Sequence, residues 1–154
     1  MRLVVQRVGN AEVRVEGVVI GSIGRGLLVL IGAEKGDGAA QAEEAARKVA
    51  GLRVFEDADG KMNLALADVG GGVLAVSQFT LAADLSRGRR PGFDRALPGE
   101  EARPLYERFV STLRELGVPV ETGAFGAMMD VALVNEGPAT FILEVRGKGA
   151  GESA

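Results

Sequence analysis

Three stretches of the 154-residue chain carry groups able to do chemistry: Ser77-Gln78-Phe79-Thr80, the run from Arg87 to Arg95, and Asn135-Glu136-Gly137-Pro138. Ser77 and Thr80 bring hydroxyls, which attack only when a base activates them. The chain contains no histidine and no cysteine. Ser-His-Asp and Cys-His constellations therefore cannot be assembled, and His/Cys zinc sites are excluded. Lys61 or an acid would have to serve as base, and no spacing brings one to either hydroxyl. The alternative is that both hydroxyls satisfy backbone groups where a strand ends. An enzyme built from this sequence must work with carboxylates, hydroxyls, Lys or Arg, backbone groups, or the substrate itself.

Arg87, Arg89, Arg90 and Arg95 fall within nine residues, with Asp94 the only acid among them. Guanidinium forks match phosphate oxygens, so the run is a candidate phosphate grip; the alternative is a solvated loop. Glu34, Asp37, Glu56, Asp57 and Asp59 sit in turn-like or capping contexts and form no catalytic dyad. Metal-ligand spacing is equally absent, and no metal or cofactor is expected. Asn135-Glu136-Gly137-Pro138 reads as a hairpin connection, since Asn and Gly are turn residues. Pro138 also fits a cis peptide, an uncommon feature usually held deliberately. A constrained Gly-Pro with exposed carbonyls would make a rigid wall against a substrate.

The elements that must position these stretches are legible as an α+β pattern. Residues 3–8, 11–15 and 18–23 are β-branched and apolar, and 26–34 is a continuous apolar run of the kind found in buried strands. Asp37 is a candidate N-cap for a helix over 38–51, with Ala42, Ala45, Ala46 and Val49 at helical spacing. A short strand, a turn at 57–60 and a second extended piece follow. The strand over 71–81 runs into Ser77-Thr80, and a long loop covers 82–98. A helix over 99–116 places Ala102, Leu105, Tyr106, Phe109, Leu113 and Leu116 on one stripe, with Pro104 tolerable near its first turn. Strands over 118–122, 127–135 and 139–145 complete a single domain, 1–146, and 147–154 is expected to be a disordered tail. Many strands with two main helices imply a strongly curved, β-barrel-like sheet. Glycine is frequent, 23 residues against a background of about 7%, which suits tight turns and close backbone approach.

Composition bounds the class. The chain is 47% hydrophobic and 25% charged, ordinary for a soluble globular protein, with a net charge of −3 that advertises no global nucleic-acid affinity. No apolar run approaches the ~18 residues of a membrane span. The start, MRLVVQRVGN, meets a second Arg, Arg7, too early for a cleavable signal, and with no disulfides a cytoplasmic address is the expectation.

SQFTL at 77–81 together with NEGPAT at 135–140 resembles the paired signatures, SQFTL and N-x-G-P-x-T, of D-aminoacyl-tRNA deacylases. The two stand in order and about sixty residues apart. MRLVVQRV at the start, GRRPGF, and FGAMMDVALVNEGP are also similar to that family, so the likeness spans the chain to about Val145. The resemblance implies a homodimer of barrel-like subunits that hydrolyses the ester joining a D-amino acid, or glycine, to the 3′-terminal adenosine of tRNA. It implies a pocket at the dimer interface, entered by a cis Gly137-Pro138 from the partner. Those carbonyls would engage the substrate amino group and exclude an L side chain. Arg7 would fix that motif and Met129 would line the pocket, with Asn135, Ala139 and Thr140 completing the substrate-binding segment. Ser77, Gln78, Phe79 and Thr80 match the catalytic strand. Arg87, Arg89 and Arg90 would hold tRNA phosphates. At Ala139 the family more often carries a larger apolar residue, a departure that leaves both motif carbonyls in place.

The missing histidine fits this chemistry. An aminoacyl ester is already activated, and the 2′-OH beside it can assist attack of water while backbone N–H groups near Phe79 and Thr80 hold the oxyanion. Thr80 as a covalent nucleophile is the alternative. Two further readings compete with the esterase: a non-catalytic dimeric nucleic-acid-binding module, and a peptidase-like hydrolase using Ser77 or Thr80.

Overall fold

The computed structural model describes residues 1–147. The tail expected over 147–154 lies, but for Gly147, outside them. Strands β1 (Arg2–Val15), β2 (Val18–Ile23), β3 (Gly26–Gly32), β6 (Gly72–Ser77), β7 (Val120–Thr122) and β8 (Asp130–Glu144) form one sheet in the order β2-β1-β3-β6-β7, with β8 paired to β1. The first half of β1 pairs β3 and its second half pairs β2, while β8 runs antiparallel along the other edge from Arg2↔Glu144 to Arg14↔Asp130. β3-β6 and β6-β7 are parallel. The sheet curls until its ends meet: a Cβ on Gly21 of β2 would stand 2.5 Å from the Thr122 carbonyl oxygen of β7. The barrel-like α+β expectation is borne out.

Alternation decides which face each side chain serves. Leu27, Val29 and Ile31 of β3 and Val73 and Ala75 of β6 point to the main core. Leu28, Leu74 and Val76 point to a second cluster inside the curl, with Val8, Ala11 and Val13 of β1. β1 thus changes faces along its length, since Leu3 and Val5 belong to the main core. The change occurs where its register with β8 shifts, between Gln6 and Val8 and again between Val8 and Asn10. Two strands were expected over 3–8 and 11–15; β1 is continuous, because β8 bridges the irregularity. Likewise 127–135 and 139–145 are one strand, and Gly137-Pro138 is a bulge within β8 rather than a hairpin.

Helices α1 (Ala39–Gly51) and α3 (Gly99–Glu115) cover the main core. α1 buries Ala42, Ala45, Ala46 and Val49 as its spacing requires. Its N-cap is Gly38, not Asp37: the Asp37 carboxylate accepts from Glu34 N–H at 2.7 Å and pairs with the Met1 ammonium at 2.6 Å. α3 buries the expected stripe except Leu116, which lies past the helix end, half exposed. Pro104 sits inside α3, beyond the first turn, so the exposed Glu100 carbonyl loses its helical donor to solvent. Acids Glu100 and Glu101 in the first turn and Arg114 in the last complement the helix dipole. A third, short helix α2 (Leu66–Val69) follows a two-stranded ribbon, β4 (Phe55–Glu56) and β5 (Met62–Leu64). The ribbon's turn is closed by Asp57, whose carboxylate accepts from Lys61 and Asp59 N–H and is held below its ordinary pKa by those bonds, Lys61 first. No helix among the described residues is long and apolar enough to cross a membrane.

Candidate active site

Ser77 ends β6, and the chain turns at once into a 3-10 helix over Phe79–Ala82. Gln78 N–H donates to the Ile31 carbonyl at 2.7 Å, keeping the turn in line with β3. Gly32 makes the approach possible: a Cβ there would meet the Gln78 carbonyl oxygen and Leu81 Cβ at 2.9 Å. A turn of this kind leaves its leading N–H groups, those of Phe79 and Thr80, without an acceptor inside it. The Thr80 hydroxyl accepts from Gln78 Nε2 at 2.6 Å. Among the described residues no lysine or acid is hydrogen-bonded to the Ser77 or Thr80 hydroxyl, so neither has the base a nucleophile needs.

Ser77, Gln78 and Phe79 form one wall of a cavity of about 700 Å³, faced by Met129; Thr80 is exposed and off that wall. Sequence reasoning read Tyr106 only as core and missed Leu97, Phe125 and Met1, which also line the interior. Tyr106 donates its hydroxyl to the Ala75 carbonyl at 2.8 Å and packs at a tilt of 42° against Phe125 with ring centroids 5.8 Å apart. Burial pushes its phenol up to about 12, so it stays neutral. The signal for Phe125 lay in the FGAMMD segment; Met1 gave none.

The Gly137-Pro138 stretch is built separately. The Gly137–Pro138 peptide is cis. Arg7, buried, donates from Nη1 to the Val54 carbonyl at 2.7 Å and from Nε to the Glu136 carbonyl at 3.2 Å. Asn135 Nδ2 donates to the carbonyls of Arg7 at 2.9 Å and Ala139 at 3.1 Å, spanning the bulge. Ala139 is buried behind it, and Thr140 accepts from Gln6 Nε2 at 3.1 Å. Gly137 opens onto a small polar pocket of about 210 Å³ with Arg7, Arg25, Glu56 and Glu136. Within one chain, therefore, the Ser77 wall and the Gly137 bulge line different cavities.

Arg87, Arg89 and Arg90 ride an exposed loop whose base is pinned by mutual bonds between Asp84 and Gly92, 2.7 and 2.9 Å. The Ser86 hydroxyl and N–H hold the Asp84 carboxyl below its ordinary pKa, the hydroxyl first. The loop delivers Phe93 to the rim of the large cavity, where its ring meets Phe79 with centroids 5.2 Å apart.

A family model described as D-Tyr-tRNA(Tyr) deacylase matches residues 4–144. The chain belongs to that family. Two D-aminoacyl-tRNA deacylases, from Thermomicrobium roseum and Anaeromyxobacter dehalogenans, are each 60% identical, the first over 94% of both chains, the second over 95% of this chain and 98% of its own. Among solved structures, one titled c-Myc DNA Unwinding Element Binding Protein aligns with a TM-score of 0.90 at 41% identity, covering 96% of this chain and all of that one. A probable eukaryotic D-amino acid tRNA deacylase aligns at 0.78 and 19% identity, covering 92% and 97%, which extends the likeness in fold. The family read from SQFTL and NEGPAT is thus borne out, and the D-Tyr-tRNA(Tyr) deacylase match ends at Glu144, the last residue of β8.

Proposed function

We infer that the chain hydrolyses the ester between a D-amino acid and the 3′-terminal adenosine of tRNA, as chiral proofreading in the cytoplasm. The observation that carries this is the large cavity walled by Ser77, Gln78 and Phe79 without an activated nucleophile. A peptide would defeat such a site, whereas an aminoacyl ester is reactive enough to need only placement. Water attacks the carbonyl with help from the adenosine 2′-OH, and the oxyanion is taken by the N–H of Phe79, on the wall, and by that of Thr80, next along the turn at the wall's edge. The ester oxygen then leaves with a proton as the free 3′-OH. A covalent Thr80 route is disfavoured, because its hydroxyl is engaged by Gln78 and no base adjoins it.

Chirality is read by backbone. Gly137 and Pro138, braced by Arg7, Asn135 and the buried Ala139, present carbonyls that hold the substrate amino group and leave no room for an L side chain. Glycine, with no side chain, passes the same filter. Side-chain pockets discriminate by only ~1–3 kcal/mol per methylene, whereas a rigid clash rejects outright. Because the bulge and the cavity lie apart in one chain, the filter is supplied by a second copy in a homodimer. Arg87, Arg89 and Arg90 hold tRNA phosphates. The test is hydrolysis of D-Tyr-tRNA beside L-Tyr-tRNA: rapid loss of the D-ester alone is expected, and cleavage of both at one rate would end the chiral reading.

A second reading is a dimeric nucleic-acid-binding module without catalysis, favoured by the exposed arginine loop and by the 41% identical c-Myc DNA Unwinding Element Binding Protein. It requires salt-sensitive tRNA binding with no turnover of either ester.

A further inference from the structure

Phe79 is 56% exposed and Phe93 38% exposed, although each is an apolar ring with a large cavity beside it to enter. They meet at 58° and 5.2 Å on the rim, one from the 3-10 turn after β6 and one from the arginine loop. Neither is on a free segment. Ala96 N–H holds the Phe93 carbonyl at 3.0 Å, Lys35 N–H holds the Arg95 carbonyl at 2.9 Å, and the Asp84–Gly92 bonds close the loop behind them. Among the described residues Arg87, Arg89 and Arg90 join no ion pair. The acids nearest in sequence are Asp84, engaged by Ser86, and Asp94. Open aromatic faces beside unpaired guanidiniums are what single-stranded nucleic acid binds: bases stack while cations follow the backbone. With a terminal nucleoside inside the cavity, a strand leaving across this rim meets both rings.

We propose that Phe79 and Phe93 form a stacking platform for the unpaired nucleotide immediately 5′ of the terminal adenosine, with Arg87, Arg89 and Arg90 on the phosphates beyond. The platform rests on the function inferred above and extends its substrate by one recognised nucleotide. Stacking accepts any base, so recognition here is of a single-stranded end rather than of sequence. Removing one ring should weaken binding on the order of tenfold.

The experiment compares the parent protein with Phe93→Ala and Phe93→Tyr. A labelled RNA oligonucleotide ending in CCA reports affinity by fluorescence anisotropy, without requiring turnover. In parallel, kcat/KM is measured on D-Tyr-tRNA and on the D-tyrosyl ester of adenosine, which lacks the stacked nucleotide. Phe93→Ala should lose about tenfold in oligonucleotide affinity, and its ratio of tRNA to adenosine-ester kcat/KM should fall by a similar factor. Phe93→Tyr, which keeps a ring, should restore both. Equal affinity of parent and Phe93→Ala overturns the platform, as does an equal loss on both esters, which would make Phe93 a mere support for the cavity. Should the parent cleave neither ester, the deacylase reading falls, and the anisotropy arm still decides the platform.

Discussion

Arg7 shows how one side chain ties the bulge of β8 to a segment far from it in sequence. Its guanidinium reaches two carbonyls in different directions, Val54 and Glu136, which a single ammonium cannot serve together. Arg7→Lys leaves the buried Val54 carbonyl or the part-buried Glu136 carbonyl without its donor, at a cost of about 1–3 kcal/mol. Thermal unfolding should show the loss, and the D-to-L ratio of kcat/KM should fall further than kcat on the D-ester, since the bulge loosens while the cavity stays. Tyr106 allows a cleaner test, being the chain's only tyrosine. Its phenol, raised to about 12 by burial, should ionise in an absorbance titration near that value instead of near 10. The sign follows: the folded state favours the neutral phenol, so this contribution is full below pH ~10 and is lost as pH rises through ~12. Denaturant unfolding of the parent should weaken over that window, and Tyr106→Phe should lack that component. In sequence Tyr106 looked like another member of an apolar stripe, because a hydroxyl reaching a strand carbonyl thirty-one positions away leaves no local mark.

At the scale of elements, helices were legible and strand continuity was not. The stripes Ala42-Ala45-Ala46-Val49 and Ala102 to Leu113 declare their helices, since helical spacing is a local property. Gly9-Asn10 and Gly137-Pro138 read as breaks, yet they are facing irregularities in one antiparallel pair. Gln6 and Val8 pair with Thr140 and Asn135, so the excess residues of β8 bulge outward as the motif itself. Only the partner strand reveals this, and it lies more than a hundred residues away. Asp37 misled for the same reason, its carboxylate being taken by the Met1 ammonium. The SQFTL motif was legible as a family resemblance, but the glycine that seats it was not. Gly32→Ala should push the 3-10 turn off β3, because backbone at 2.9 Å cannot yield cheaply. About 1–3 kcal/mol of stability should be lost in denaturant titration, together with most of kcat, since the Phe79 and Thr80 N–H groups move.

For the whole molecule, the decisive fact is that the cavity of the Ser77 wall and the bulge at Gly137 do not meet within one chain. If two copies exchange bulges, each active site is composite, and two differently damaged chains should repair one another. Ala96→Trp fills the cavity rim while keeping the backbone bond that fixes the loop. Gly137→Val puts a branched side chain against Asn135 Oδ1, with its Cβ 3.2 Å away, and distorts the filter. Each variant alone should be inactive on D-Tyr-tRNA. Co-refolded in equal amounts, half the dimers are mixed, and each mixed dimer contains one intact cavity facing one intact bulge. About a quarter of the parent's activity should therefore return. A filter acting within its own chain gives no recovery, since every mixed dimer would still hold two damaged sites. Activity of the mixture, set against that of each variant refolded alone, separates the two arrangements because exchange of subunits is the only difference between the samples.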